Sequence, residues 1–212
     1  MKLLIGVPTT DYMHADFVRC LADLCLKLQS DRVDFKLFIN AGSLAHVARD
    51  KIASKAINEE FTHVLWLDSD MVFTPELLDD LQFSGKPFVT AVCCSRRKPY
   101  VSCIFSNLDD INHLKRFEDL PHEPFEVQGC GFACVLMETE ILRHVMMTEK
   151  GTCFLPMKEY GEDLAFCLRA RRLGHKIYAD PMVRVGHIGH DVYYYPDANE
   201  NFLKGVDANG KY

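Results

Sequence analysis

Short apolar runs alternate with segments of helical periodicity along the first third of the chain. The sequence predicts strands over Leu3–Val7, Phe35–Ile39 and Val64–Leu67, because the first and last are unbroken apolar runs of the length that strands adopt inside a sheet. Between them, apolar residues recur at three- and four-residue spacing over 15–29, and 43–58 is a second predicted helix. Strands separated by helices in this way predict a βαβαβ unit with parallel pairing.

The rest of the chain continues the alternation less regularly. Thr74 is the predicted N-cap of a helix whose first residue is Pro75, and Asn107–Pro124 is polar and has no sustained period. The tail from Asp191 is predicted to be a flap or a partly disordered end. We therefore predict an α/β fold in one domain over residues 1–190, followed by a tail over 191–212. The further predicted helices are Pro75–Phe83, Thr139–Met147 and Gly161–Leu173, and the further predicted strands are Pro87–Cys94, Val101–Phe105, Lys176–Ala179 and Met182–Val185.

Composition narrows the classes of function. The chain has 212 residues, is 48% hydrophobic and carries a formal net charge of −6, which suits one sizeable domain and does not favour binding to duplex nucleic acid. No apolar run approaches the length of a membrane span, so no integral membrane segment is expected. Nine cysteines without a Cys-x-x-Cys pair are more typical of reduced thiols in a cytoplasmic protein than of a disulfide framework.

Two carboxylates follow the buried strand Val64–Leu67. Residues two apart on a strand point to the same face, so Asp68 and Asp70, separated by Ser69, are expected to project together. Paired carboxylates at the carboxyl end of a parallel strand are a candidate site for a divalent cation. The alternative is an ordinary turn, since Asp and Ser are common turn residues.

Arg49 lies on a row of small apolar residues of the second helix. A buried guanidinium requires a partner, so Arg49 is either a clamp for a phosphate or carboxylate or an arginine whose stem reaches the surface. Gly129 and Gly131 flank a small residue and predict backbone that passes close to a ligand or to another strand.

Three later residues are candidates whose local pattern also has a structural interpretation. Glu162 and Asp163 open a predicted helix, where acidic residues are favoured by the helix dipole. His187 alternates with Val183 and Val185, so it is expected on a buried face, where histidines are more often core residues than ligands.

Taken in order, these motifs resemble the nucleotide-sugar glycosyltransferases of the GT-A fold, and most closely a small metal-dependent group with an Asp-x-Asp motif, similar to family 2. The resemblance implies a Rossmann-like, mainly parallel sheet flanked by helices. The matching segments are Gly6–Thr9, Val47–Arg49, His63–Met71, Gly129–Phe132, Gly161–Cys167 and Val185–His187.

The resemblance implies a role for each candidate on the donor side. Pro8 and Thr9 would border the base of a nucleoside diphosphate sugar, and Arg49 would lie near its ribose or diphosphate. Asp68, with Ser69 beside it, would approach the ribose or the ion. Gly129 and Gly131 would lie under the donor sugar, where a side chain would collide with it.

The resemblance also implies the metal and the catalytic base. Asp70 and His187, with Asp68, would bind Mn²⁺ or Mg²⁺, which would stabilise the diphosphate leaving group. His190 could also reach the ion. Asp163 would take the proton from the acceptor hydroxyl, with Glu162 as the competitor for that role. The helix dipole is expected to lower the pKa of Asp163.

The implied activity is transfer of a hexose-type sugar from a nucleoside diphosphate sugar to an acceptor hydroxyl. A UDP-sugar is the favoured donor and a GDP-sugar is the next. The transfer would invert the anomeric carbon by single displacement. The acceptor is left open between a glycan, a protein, a lipid-linked molecule and a small molecule. The alternatives are a retaining transferase on the same site and a catalytically silent module that binds nucleotide sugars.

Overall fold

The computed structural model describes residues 1–42, 44–96, 100–108, 115–117 and 120–189, together with the backbone of 192–194. The helices are α1 (Ala15–Ser30), α2 (Ala45–Asn58), α3 (Leu77–Phe83), α4 (Thr139–Thr148) and α5 (Glu162–Arg172). The strands are β1 (Lys2–Pro8), β2 (Asp34–Asn40), β3 (His63–Leu67), β4 (Met71–Phe73), β5 (Phe88–Ala91), β6 (Ile104–Asn107), β7 (Lys115–Arg116), β8 (Phe125–Val127), β9 (Gly129–Cys130), β10 (Cys134–Glu138), β11 (Ile177–Asp180), β12 (Val185–Ile188) and β13 (Val192–Tyr194).

A seven-stranded sheet in the order β2-β1-β3-β10-β5-β11-β8 forms the centre of the molecule. Strands β1, β2 and β3 pair in parallel, as the βαβαβ pattern predicts. Strand β10 runs antiparallel between β3 and β5, and β11 is parallel to β5. The result is a mixed α/β fold with a mainly parallel sheet, which confirms the coarse fold prediction.

Helices cover both faces of this sheet. Val64 and Trp66 of β3 pack into the core formed with α2, α4 and α5, whereas Leu65 and Leu67 pack into the core formed with α1 and α3. All four side chains are fully buried. The prediction that this strand is buried on both faces is therefore confirmed, because its alternate side chains enter two different cores.

Several element boundaries differ from the predicted ones. Helix α3 begins at Leu77 rather than Pro75, because the Leu77 N–H donates to the Thr74 carbonyl in a preceding turn and Thr74 is not the N-cap. Strand β12 begins at Val185, where the predicted strand Met182–Val185 was expected to end, because the Asp180 carboxylate accepts the Met182 N–H at 2.9 Å and prolongs the turn.

Some of the residues named in the predictions lie outside the described ranges. They are Ser43, where the second predicted helix begins, His190, and most of the tail after residue 190. Within the insertion 107–124, β7 pairs with β6 in a small antiparallel sheet. No helix in the described part of the chain combines the length and the apolar character needed to cross a membrane.

Candidate active site

The candidate site is built on the loop that joins β3 to β4. The Asp68 N–H donates to the Ala133 carbonyl at 2.9 Å, and the Ile188 N–H donates to the Asp70 carbonyl at 2.8 Å. Strand β12 pairs antiparallel with β4 and sets His187 opposite Met71. Strand pairing between segments that are distant in sequence thus brings the Asp-x-Asp loop and the late histidine together.

Arg49 of α2 connects this loop to the start of α5. Its Nη2 donates to Oδ1 of Asp68 at 2.8 Å, and its Nη1 donates to Oε1 of Glu162 at 2.5 Å. The Arg49 side chain is 5% exposed, so the interpretation of a stem that reaches the surface is wrong. The guanidinium also lies over the ring of Phe132, with 5.6 Å between Cζ and the ring centroid.

Burial and charge act in opposite directions on this cluster. Burial opposes the charged form of Arg49, but the carboxylates of Asp68, Glu162 and Asp163 outweigh it and raise the guanidinium pKa. Burial raises the pKa of Asp68, and the neighbouring charge of Asp70 adds to that, although Arg49 acts against both. Arg49 is therefore the cation that favours the ionised forms of Asp68 and Asp163 against their burial.

Asp70 has two partners at one oxygen. Its Oδ2 is 2.7 Å from Nη1 of Arg96 and 3.4 Å from Nε2 of His187. Burial opposes ionisation of Asp70, but the hydrogen bond to His187 and the charges of His187 and Arg96 lower the pKa of the carboxyl. Arg96 follows strand β5 along the chain, and its contact with Asp70 ties it to the site.

The ring of His187 is oriented by a hydrogen bond to the backbone. Its Nδ1 lies 2.8 Å from the Cys94 carbonyl and donates to it, which leaves Nε2 facing Asp70. This backbone contact is the kind of outer hydrogen bond that fixes the tautomer of ligating histidines. A carboxylate and an imidazole are suitable donors for Mn²⁺.

The three predicted metal ligands are not assembled into one cluster. Asp68 is engaged by Arg49, and Asp70 and His187 form a pair. Among the residues that the structure describes, no group of three or more His, Cys, Asp or Glu side chains is placed to hold an ion. Binding of an ion by Asp70 and His187 therefore stays a prediction.

Asp163 lies in the first turn of α5, beside Glu162. Its Oδ1 accepts the Leu164 N–H at 2.7 Å. Burial raises its pKa, and neither the Leu164 N–H nor Arg49 reverses that effect. The prediction that the helix dipole lowers this pKa is wrong, because the desolvation of the carboxylate outweighs the dipole and the nearby cation.

The two predicted glycines have different surroundings. A Cβ on Gly129 would lie 2.3 Å from Cδ1 of Leu108 and 3.4 Å from Cβ of Cys167, so the protein itself excludes a side chain there. A Cβ on Gly131 would lie 3.7 Å from Oδ2 of Asp163, at ordinary contact distance. Gly131 therefore adjoins the candidate base, and the contact of either glycine with a donor stays a prediction.

Pro8, Thr9 and Ser69 complete the predicted residues. Pro8 ends β1 and pairs with Asn40 of β2. The Thr9 hydroxyl lies 3.1 Å from Oγ of Ser69 and 3.2 Å from the carbonyl of Tyr12. These contacts join the loop after β1 to the Asp-x-Asp loop, as expected where the carboxyl ends of adjacent parallel strands meet.

Asp50 orders the segment before α5, a role that the sequence pattern does not predict. One of its carboxylate oxygens accepts the N–H groups of Cys153 at 2.7 Å and Phe154 at 2.9 Å, and the other accepts the Thr152 hydroxyl at 2.6 Å. An acidic residue in a helix gives no local signal for such a role, because its partners are about a hundred residues away.

A separate cavity of about 700 Å³ lies along α5 and β11. Tyr160 and Leu168 are on its wall, and Arg172 and Lys176 are among its charged residues. None of the predicted site residues lines it, so it is distinct from the cluster around Asp68 and Asp70.

Fold and site together define an α/β protein with a charged cluster at the carboxyl edge of its sheet. No family model matches the chain. Among curated proteins, the chain is similar to the mannan polymerase complex subunit MNN9 of Candida albicans, at 25% identity over 199 residues that cover 76% of this chain and 53% of that protein. The chain thus spans about half the length of the curated relative it matches.

Among solved structures, the chain shares its fold with A197 from STIV. The TM-score is 0.58, the sequence identity is 15%, and the alignment covers 93% of this chain and 95% of that one. The shared fold extends over nearly the whole chain.

Proposed function

We propose that this protein is a GT-A-type glycosyltransferase that moves a sugar from a nucleoside diphosphate sugar to an acceptor hydroxyl with the help of Mn²⁺ or Mg²⁺. The observation that carries the proposal is a charged cluster at the carboxyl edge of the sheet. Buried Arg49 binds Asp68 and Glu162, and Asp70, on the same loop as Asp68, pairs with His187. The similarity to a mannan polymerase subunit supports the same class of reaction.

The donor side of the proposal assigns the diphosphate to the Asp70–His187 pair. These two side chains would hold the ion, and a bound divalent cation would act as a Lewis acid on the leaving diphosphate. Asp68 is fixed by Arg49 and can accept hydrogen bonds from a ribose through its remaining oxygen. Pro8 and Thr9 border the same edge and would contact the base.

The catalytic base in this proposal is Asp163. A carboxyl with a raised pKa accepts a proton more readily than an ordinary aspartate. Glu162, the competing residue, already accepts a hydrogen bond from Arg49 at 2.5 Å, so it is better placed to orient than to take a proton. A single base acting on the acceptor hydroxyl would give inversion at the anomeric carbon.

For the sugar and the nucleotide of the donor, the proposal gives the order in which candidates are to be tested. UDP-sugars come first and GDP-sugars second, and the name of the curated relative adds nucleoside diphosphate mannose to the panel. Acceptors to be tried with them include short mannosides for the same reason.

The test begins with a thermal-shift panel of UDP-, GDP-, dTDP- and CMP-sugars with and without Mn²⁺. A donor that binds the native state raises the melting temperature. The donor that does so is then followed for release of nucleoside diphosphate with and without acceptors, in the wild type and in Asp163→Asn. Donor binding, together with a release of nucleoside diphosphate that is lost in Asp163→Asn, supports the transferase. Binding without any release supports the silent module, and no shift with any donor contradicts both.

A further inference from the structure

Arg96 and His187 approach the same oxygen of Asp70 from different sides. Nη1 of Arg96 is 2.7 Å from Oδ2 of Asp70, and Nε2 of His187 is 3.4 Å from it. The Arg96 side chain is 54% exposed, whereas that of His187 is 15% exposed. The histidine is therefore a fixed partner of Asp70, and the arginine is the partner on the solvent side.

A guanidinium and a divalent cation cannot share this oxygen at bonding distance. Both are positive, and a cation held by Asp70 and His187 would repel Arg96 from its present position. Separating Arg96 from Asp70 requires less free energy than breaking a buried ion pair, because the Arg96 side chain is more than half exposed to solvent. The long side chain can then turn to another anion within reach.

Two other arginines in the described part of the chain already hold partners. Arg49 is buried between Asp68 and Glu162, and Nη1 of Arg116 donates to the Ser102 carbonyl at 2.5 Å. Arg96 combines exposure with direct contact to a proposed metal ligand. Its planar group also matches phosphate oxygens in a two-point contact.

We propose that Arg96 is an exchangeable cation of the donor site. It neutralises Asp70 when no divalent ion is bound, and when the ion takes Asp70 it turns to the diphosphate oxygens of the donor. This inference rests on the proposed function, because it needs Asp70 as a metal ligand and a diphosphate as the donor group.

Such an exchange couples the two ligands. The ion releases Arg96 for the diphosphate, and the diphosphate draws Arg96 away from Asp70, so each ligand favours the other by the same factor. Removing Arg96 is expected to change the affinities for Mn²⁺ and for the nucleotide in opposite directions. Mn²⁺ alone should bind more tightly, because its competitor is gone, and the nucleotide should bind more weakly, because a phosphate contact is gone.

The experiment measures binding rather than turnover. Free Mn²⁺ is followed by electron paramagnetic resonance, and UDP is followed by calorimetry with and without saturating Mn²⁺, with a parallel series on GDP. The proteins are the wild type, Arg96→Ala, Arg96→Lys, Asp70→Asn and, as a control with the same change of charge, Arg143→Ala. Arg143 lies on α4, where its Nε contacts Glu140.

In Arg96→Ala we expect Mn²⁺ alone to bind about two- to fivefold more tightly and UDP with Mn²⁺ to bind about tenfold more weakly. The factor by which Mn²⁺ strengthens UDP binding should fall accordingly. Arg96→Lys keeps the charge without the two-point contact and should lie between these values. Arg143→Ala should match the wild type.

Two results would overturn the role of Arg96 and leave the proposed function intact. In the first, Arg96→Ala binds Mn²⁺ and UDP with the same affinities as Arg143→Ala does, while Asp70→Asn no longer binds Mn²⁺. In the second, Arg96→Ala binds both Mn²⁺ alone and UDP more weakly than the wild type does, which would make Arg96 a merely structural residue. Failure of the wild type to bind either ligand would instead contradict the proposed function, and with it the inference.

Discussion

Arg49 of α2 donates from Nη2 to Oδ1 of Asp68 at 2.8 Å, and this bond holds the acidic loop after β3 against a buried guanidinium. The other terminal nitrogen is bound to Glu162. Replacing Arg49 with Met would leave two carboxylates without their cation, because removing one partner of a buried ion pair leaves an uncompensated charge. We expect Arg49→Met to lower the free energy of unfolding by about 2–4 kcal/mol in urea titrations.

The matched control is the pair Asp68→Asn and Arg49→Met together. If the bond contributes as described, the double variant is less destabilised than the sum of the two single variants by at least about 1 kcal/mol. Additive effects would mean that Arg49 stabilises the fold through Glu162 or through packing on Phe132 rather than through Asp68.

Gly129 and Gly131 should respond differently to the same substitution. Gly129→Ala places a methyl group against Leu108 and should cost about 1–3 kcal/mol of stability. Gly131→Ala meets its neighbours at ordinary distances and should stay within about 1 kcal/mol of the wild type. Because its methyl group would adjoin Asp163, Gly131→Ala should lose activity on the donor while its chemical denaturation curve hardly moves. The reverse ranking of the two stabilities would contradict the packing described for Gly129.

Much of the fold could be predicted because its signals are local. The alternation of Val64 and Trp66 with Leu65 and Leu67 lies within one strand, and the parallel start follows from the order of the elements. The antiparallel insertion of Cys134–Glu138 between β3 and β5 could not be predicted, because it depends on pairing between distant segments.

The site shows the same division. Asp68 and Asp70 were predicted from the strand that precedes them, but the partners of Arg49 could not be, since Glu162 is 113 positions away. The position of His187 depends on the pairing of β12 with β4. The raised pKa of Asp163 results from burial by tertiary structure, and the helix dipole, which is visible in the sequence, predicted the opposite direction.

Asp163→Asn should separate stability from activity. Burial raises the pKa of Asp163 in the folded protein above that in the unfolded chain, so ionising this carboxyl lowers stability. That penalty is absent below the unfolded pKa and complete above the folded pKa. At pH 7.5 we expect Asp163→Asn to melt about 2–4 °C higher than the wild type, which corresponds to about 1 kcal/mol.

The pH dependence is the control for this prediction. The gain in melting temperature should shrink as the pH falls through the carboxyl range, while at pH 7.5 release of nucleoside diphosphate is reduced about a hundredfold or more. Asp23→Asn, a partly exposed aspartate of α1 that lies near Arg19, carries the same charge change and should show neither effect. A lower melting temperature for Asp163→Asn at pH 7.5 would contradict the sign of the pKa shift.

The central claim is that Asp70 and His187 hold a divalent ion beside a nucleoside diphosphate, and anomalous diffraction from a crystal grown with Mn²⁺ and UDP or GDP tests it most directly. We expect an anomalous peak at bonding distance from an Asp70 carboxylate oxygen and from Nε2 of His187, with the diphosphate on the same ion. Nucleotide density in the cavity along α5, or a manganese peak away from both residues, would contradict the account.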